Sequence, residues 1–229
     1  VVAILQLRHW AAERDARATS VSPSELEQPF QGSLWSGLLD VLKSPYLLGI
    51  CLFMLCYSLL STFLYFQQAE LVPKAISNSG ERTQLLAGMD LLVNTVVLLI
   101  QLLAFGQLIQ RLGTRTLLIA LPLVSVLGYT ALAAHPVLAV LVALGVVRRA
   151  GEYAISKPAR ETLFNALPPE QKYRAKNVID TLVHRTGDTS SAWIFNGLRG
   201  LGLSISQISW LAVPISLAWL VTAWALGHA

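Results

Sequence analysis

Arg148-Arg149-Ala150-Gly151-Glu152-Tyr153, running on to Lys157-Pro158-Ala159-Arg160-Glu161, follows the apolar run Pro136 to Val147 with no loop signal between them. Charges set into a hydrophobic span cost ~2.5–3.5 kcal/mol each on insertion scales, so they face a protein interior or a water-filled cavity rather than lipid. Counted at ~1.5 Å per residue from Pro136, Arg148 and Arg149 lie ~18–20 Å along a helix, somewhat past the middle of a ~30 Å hydrocarbon layer. A second charged stretch, Lys176 to Ser191, follows after a short loop. Together the two stretches predict a polar path across a membrane.

The rest of the chain agrees with a membrane setting. Of 229 residues, 54% are hydrophobic and only 13% charged, with mean hydropathy +0.57, too little polar surface to cover a soluble domain. The apolar residues fall into blocks of roughly 20, the length of a spanning helix, without the in-out alternation of a membrane barrel. The expected fold class is an all-α membrane protein, a bundle of about six transmembrane helices at about 45–70, 84–110, 116–133, 136–157, 176–196 and 207–226. Val1 to Leu7 reads as the end of a preceding transmembrane helix, placed over 1–9, so the chain is expected to be a fragment. Residues 10–44 read as a charged linker carrying an amphipathic helix from Leu34 to Lys43.

Basic residues orient the bundle. Arg8, Arg14, Arg17, Arg111, Arg115, Arg160, Lys172, Arg174 and Lys176 fall in loops on one side, against Lys74, Arg82 and Arg199 on the other. The positive-inside rule then puts the linker and the C-terminus in the cytoplasm. The net charge of +4 is modest and points to no nucleic acid. Cys51 and Cys56 share one apolar block and read as small buried hydrophobes. A hydrolase or kinase finds no support: there is no Gly-rich phosphate loop, HExxH or nucleophile elbow. No cofactor or metal is implied.

Within the fourth span, Arg148 and Glu152 stand at i,i+4 and Arg149 and Glu152 at i,i+3, so an intrahelical pair is expected. Two Arg and one Lys exceed the single carboxylate before Glu161, and such a surplus of positive charge suits an anionic substrate. In the fifth span Lys176, Asp180, His184 and Asp188 recur every four residues on one slowly drifting face, with Arg185 one step round. Gly187 there lets another helix approach. Arg149, Lys157 and Arg185 are the expected contacts for substrate charge, with Tyr153 and Lys176 in the same substrate-binding set. Glu152, Asp180, His184, Asp188 and Asp90 are the expected gating or coupling groups. Tyr57, Ser61, Tyr65 and Gln68 share a face of the first span, as packing or as lining. Each charged face also admits a plainer role, locking helices together. Trp193, Trp210, Trp219 and Trp224 read as including interfacial anchors.

The turn Gly106-Gln107-Leu108-Ile109-Gln110-Arg111-Leu112-Gly113-Thr114-Arg115 resembles the G-x-L-x-D-R-x-G-x-[RK] signature of the major facilitator superfamily, with Gln110 at the acidic position. In it Gly106 permits close helix approach, Gly113 a sharp turn, and Arg111 and Arg115 bridge to neighbouring helix ends. That superfamily joins two six-helix halves by a long cytoplasmic loop, and this chain is similar to the junction and the C-terminal half. Lys172-Tyr173-Arg174-Ala175-Lys176-Asn177-Val178-Ile179-Asp180, with Arg185-Thr186-Gly187 beyond it, is similar to the ATP/ADP translocase family and its bacterial relatives. Asp188 stands where a basic residue follows that glycine in the nucleotide exchangers. The resemblance implies a monomeric transporter in a bacterial inner membrane, completed by an N-terminal half and moving a nucleotide or other small organic anion by alternating access. Two other readings stay open: proton-coupled transport of a neutral or cationic compound through Asp90, His184 and Asp188, and a non-transporting membrane scaffold or sensor.

Overall fold

The computed structural model describes residues 34–228; the expected helix end at 1–9 and the linker as far as residue 33 lie outside them. Among the described residues the chain is helical throughout, with no strand. The helices are α1 (Leu34–Lys43), α2 (Pro45–Ala75), α3 (Ser79–Leu99), α4 (Phe105–Ala134), α5 (Leu138–Gly151), α6 (Lys157–Leu163), α7 (Pro169–Val178), α8 (His184–Gly200) and α9 (Ile205–Leu226).

Local chemistry sets several of these boundaries. Ser44 caps α2 by accepting from the Leu47 amide at 3.4 Å, with Pro45 in the first turn where its missing N–H costs nothing. Asn78 accepts from the Gly80 amide at 2.9 Å to start α3. Ser204 and Gln207 form a reciprocal capping box at the head of α9. Pro168 and Pro169 separate α6 from α7, as their sequence predicts. The polar stretch from Pro73 to Arg82 is mostly helical, because the caps at Ile76 and Asn78 shorten the loop to three residues, 76–78.

Gly113 is where the expected turn lies. Its φ of +73° breaks the helical run inside α4, a conformation that a side chain resists. Gly106 behaves otherwise than expected. A Cβ placed there meets nothing within 4 Å, so no described helix closes on it.

Three wide π turns interrupt the helices, at Ile100–Ala104, Glu152–Ser156 and Ile179–Val183. The second has a physical cause two residues on. Pro158 has no N–H, and its ring presses on the carbonyl four residues back. The Lys157 amide reaches back to Glu152 O, so the chain continues helical through the obstacle. The third lies between Lys176 and His184, where the His184 amide reaches back to Ile179 O.

Four helical stretches are long and apolar enough to cross a membrane: Pro45–Ala75, Ser79–Leu103, Gln110–Ala134 and Ile205–Leu226. The chain is an integral membrane protein on this ground. The runs 138–163 and 169–200 are equally long but carry the charged stretches, which lower their apolar content.

Packing is tightest between α4 and α9, between α2 and α8, and between α2 and α9; α5 lies against α3 and α4. Phe53, Phe63, Tyr129, Phe195 and Trp219 fill the middle, Trp219 edge-on to Phe53 at 5.3 Å. Trp219 is fully buried and so belongs to the core; Trp193, Trp210 and Trp224 remain exposed as anchors must. At one end Ser206 holds the Ala133 carbonyl at 2.5 Å, and Arg199 bonds both Glu70 and the Leu203 carbonyl at 2.5 Å. At the other, Tyr46 donates to Leu163 O at 2.9 Å, α1 lies on α7, and Arg115 sits over the Trp224 ring. Both cysteines are buried and unpaired.

Candidate functional site

A cavity of ≈ 420 Å³ opens between α2, α3 and α5. The polar stripe of α2, namely Tyr57, Ser61, Tyr65 and Gln68, forms one wall. Asp90 of α3 faces it, and Arg148, Arg149 and Tyr153 come from α5 and the wide turn after it. Gly145 of α5 lines it as well. The volume falls within the ordinary range for a small-molecule site, and aromatic walls with a few charged groups are its usual lining. A smaller hollow of ≈ 370 Å³ shares Tyr65, Gln68 and Leu86 with it and continues to Arg82 and Ser79 at the start of α3.

The two arginines differ sharply. Arg149 is half-exposed and its Nη1 lies 2.6 Å from Asp90 Oδ1, tying α5 to α3. Arg148 is buried, its guanidinium carbon 5.7 Å from the Tyr57 ring centre and 5.8 Å from that of Trp219. Its one hydrogen bond to a main-chain oxygen runs to Tyr57 O at 3.5 Å.

The expected pair between Arg148 and Glu152 is replaced. Glu152, also buried, takes Arg160 at 3.5 Å instead. The reason is the company each side chain finds: Arg148 leaves its helix toward the ring faces of α2 and α9, while Glu152 runs forward past the wide turn to Arg160. Cation–π contact suits a guanidinium better than an ammonium, which explains why Arg fits this slot.

The remaining expected site residues divide into groups. Tyr153 lines the cavity and accepts a bond from Gln101 on its carbonyl at 2.9 Å. Lys157 is exposed and within electrostatic range of Glu152. Lys176 pairs with Glu161 at 2.5 Å and joins α6 to α7, away from the cavity. His184 Nδ1 lies 3.0 Å from Asp188 Oδ2, and the Ser58 hydroxyl donates to the other oxygen of Asp188. The His184 ring is edge-on to Tyr57 at 6.3 Å, so this cluster backs onto the cavity wall. Asp180 and Arg185 are exposed and have no ion pair among the described residues. Arg185 does not line the cavity, so Arg149 and Arg185, both expected as contacts for substrate charge, do not meet in it. Gly187 does what its type suggests: a Cβ there would sit 3.1 Å from Ser58 Oγ, so α8 and α2 touch closely.

Sequence reasoning undervalued Arg148. The signal that identifies it was present in two places, the aromatic stripe on α2 and Trp219 on α9, but only the fold brings these to one spot.

No protein-family model matches the chain, and no solved structure matches it. Among curated proteins it is similar to ADP,ATP carrier protein 1 of Chlamydia muridarum (strain MoPn / Nigg), with 25% identity over 211 residues, covering 80% of this chain and 39% of the relative. The chain thus spans well under half the length of that relative. The likeness is distant, and it agrees with the ATP/ADP translocase-like relationship drawn from the Lys172–Asp180 and Arg185–Gly187 motifs.

Proposed function

We propose that this chain is the C-terminal half of a secondary transporter of the major facilitator type, which exchanges a nucleotide or related organic anion by alternating access. The observation that carries this reading is the cavity itself: two arginines from one helix and a row of tyrosines and hydroxyls from another meet inside an apolar bundle. Surplus positive charge in a water-accessible hollow draws anions and disfavours cations. The likeness to an ADP,ATP carrier supports the nucleotide among organic anions. Six helical passes, the two charged ones completing the four apolar ones, support the half-transporter architecture, with substrate bound where two halves meet. The cytoplasmic linker at 10–44, the cytoplasmic C-terminus and a monomeric assembly belong to the same proposal. ATP is cargo here, and no hydrolysis is involved.

The test uses the full-length protein in liposomes loaded with ADP. Labelled ATP should enter only when ADP is inside, and unlabelled ADP outside should compete. Uptake that ignores internal ADP, or that discriminates against anions, would reject the reading.

The proton-coupled alternative has one observation in its favour, the Ser58–Asp188–His184 cluster behind Tyr57. A pH-sensitive dye inside the same liposomes distinguishes the two. Anion exchange leaves the internal pH unchanged after substrate addition, whereas proton coupling shifts it.

A further inference from the structure

Arg148 and Arg149 are neighbours in sequence with opposite circumstances. The charge of Arg149 is already met by Asp90. Arg148 is only 4% exposed, and its Nε and Nη1 are sealed from water with no hydrogen-bond partner. Glu152 and Arg160, 5% and 6% exposed, lie close by as a pair. The buried cluster therefore holds two guanidiniums and one carboxylate. Among the described residues Glu152 is the sole buried acid, so one positive charge is left over. A buried charge without a counter-charge, with donors unpaired, is among the least favourable arrangements a protein interior holds. It persists where something outside the chain completes it.

We infer that Arg148 is the fixed anion anchor of the cavity, the group that takes the phosphate or carboxylate of the cargo, an assignment that rests on the reading of this cavity as the transport site. Either fork of its guanidinium, side-on or end-on, contains a donor that nothing in the chain uses. A planar pair of oxyanion oxygens fits such a fork, and a small rotation between the faces of Tyr57 and Trp219 opens it to the cavity. Those ring faces hold the guanidinium without consuming its donors. The anion then neutralises the surplus charge, while Tyr57, Tyr65 and Tyr153 offer flat surfaces to the rest of the molecule. Arg149, held by Asp90, is a second contact that becomes available only when the carboxylate lets go.

The experiment measures the thermal unfolding midpoint of the full-length protein in detergent against increasing inorganic pyrophosphate. The wild-type midpoint should rise saturably; no rise at all overturns the anchor. In Arg148→Met the ligand-free midpoint should stay level or rise, because a surplus buried charge is gone, and the apparent pyrophosphate dissociation constant should weaken at least ten-fold. A purely structural Arg148 predicts the reverse, a lower ligand-free midpoint with binding retained. Pyrophosphate binding as tight in Arg148→Met as in wild type overturns the anchor. If Arg148→Met does not fold, Arg148→Lys decides: it keeps the charge and loses the fork, so binding at least ten-fold weaker upholds the anchor and unchanged binding removes it. Failure of nucleotide exchange, with pyrophosphate binding that still depends on Arg148, rejects the proposed function and leaves the anchor standing. Exchange that persists unchanged in Arg148→Met rejects the anchor alone.

Discussion

Arg149 on α5 and Asp90 on α3 form an ion pair at 2.6 Å across the wall of the cavity, with both side chains about half exposed. Water reaches both partners, so the pair contributes little to stability, about 1 kcal/mol or less. Its consequence is local: the carboxylate takes the Nη1 donor that an incoming anion would use.

Asp90→Asn should therefore leave the thermal midpoint of the full-length protein nearly unchanged while strengthening pyrophosphate binding roughly five-fold, about 1 kcal/mol. Isothermal titration of purified protein measures this. Weaker binding in the variant would show that Asp90 assists the anion rather than competing with it.

Charge counting orders two substitutions in the buried cluster. Arg160→Gln leaves Arg148 and Glu152, one charge of each sign. Glu152→Gln leaves Arg148 and Arg160, two buried positive charges with no counter-charge. Removing one partner of a buried ion pair usually costs about 3–5 kcal/mol, and the second variant should lie nearer the upper end than the first. Thermal unfolding of both variants in detergent compares them, and the opposite order would mean that water or lipid already neutralises this cluster.

Much of the helical layout was legible because its signals are local. Ser44-Pro45, Gly113 and Pro168-Pro169 act through caps, positive φ and a missing N–H, none of which depends on distant residues. The aromatic stripe on α2 was visible too, as was the excess of Arg over acid near residue 150. Partner choice was not legible. Glu152 has Arg148 one turn back and Arg149 within reach, yet it pairs with Arg160, because Tyr57 and Trp219 claim Arg148. The wide turn at Ile179–Val183 was not legible either, because a strict 3.6-residue count cannot foresee its added residue.

Two glycines should respond oppositely to a side chain. Gly187→Val places atoms against Ser58 Oγ and Cβ, which lie 3.1 and 3.2 Å from the new Cβ, and parts α8 from α2. Overpacking of this kind costs about 1–3 kcal/mol. Gly106→Ala meets nothing within 4 Å, and replacing a helical glycine gains up to about 1 kcal/mol. A thermal midpoint that falls for the first and holds or rises for the second is the expected result. Equal loss in both would mean that Gly106 touches a segment beyond the described residues.

Loop positions give the last prediction. Ser77 and His135 lie in exposed connections at the end of the bundle held by Glu70, Arg199 and Ser206. Asn165 lies at the opposite end, where Tyr46 meets Leu163 and Lys172 bonds the Asn165 carboxamide at 2.8 Å. Basic residues concentrate on the Asn165 end, which the positive-inside rule assigns to the cytoplasm. In a background with Cys51 and Cys56 replaced by Ala, single cysteines at 77 and 135 should react with a membrane-impermeant maleimide added to intact cells. A cysteine at 165 should react only after the membrane is opened, and so should one at 20 in the linker. Labelling of 165 in intact cells together with protection of 77 would invert the bundle. The hollow beside Arg82, which shares Tyr65, Gln68 and Leu86 with the cavity, would then lie toward the cytoplasm instead of the exterior.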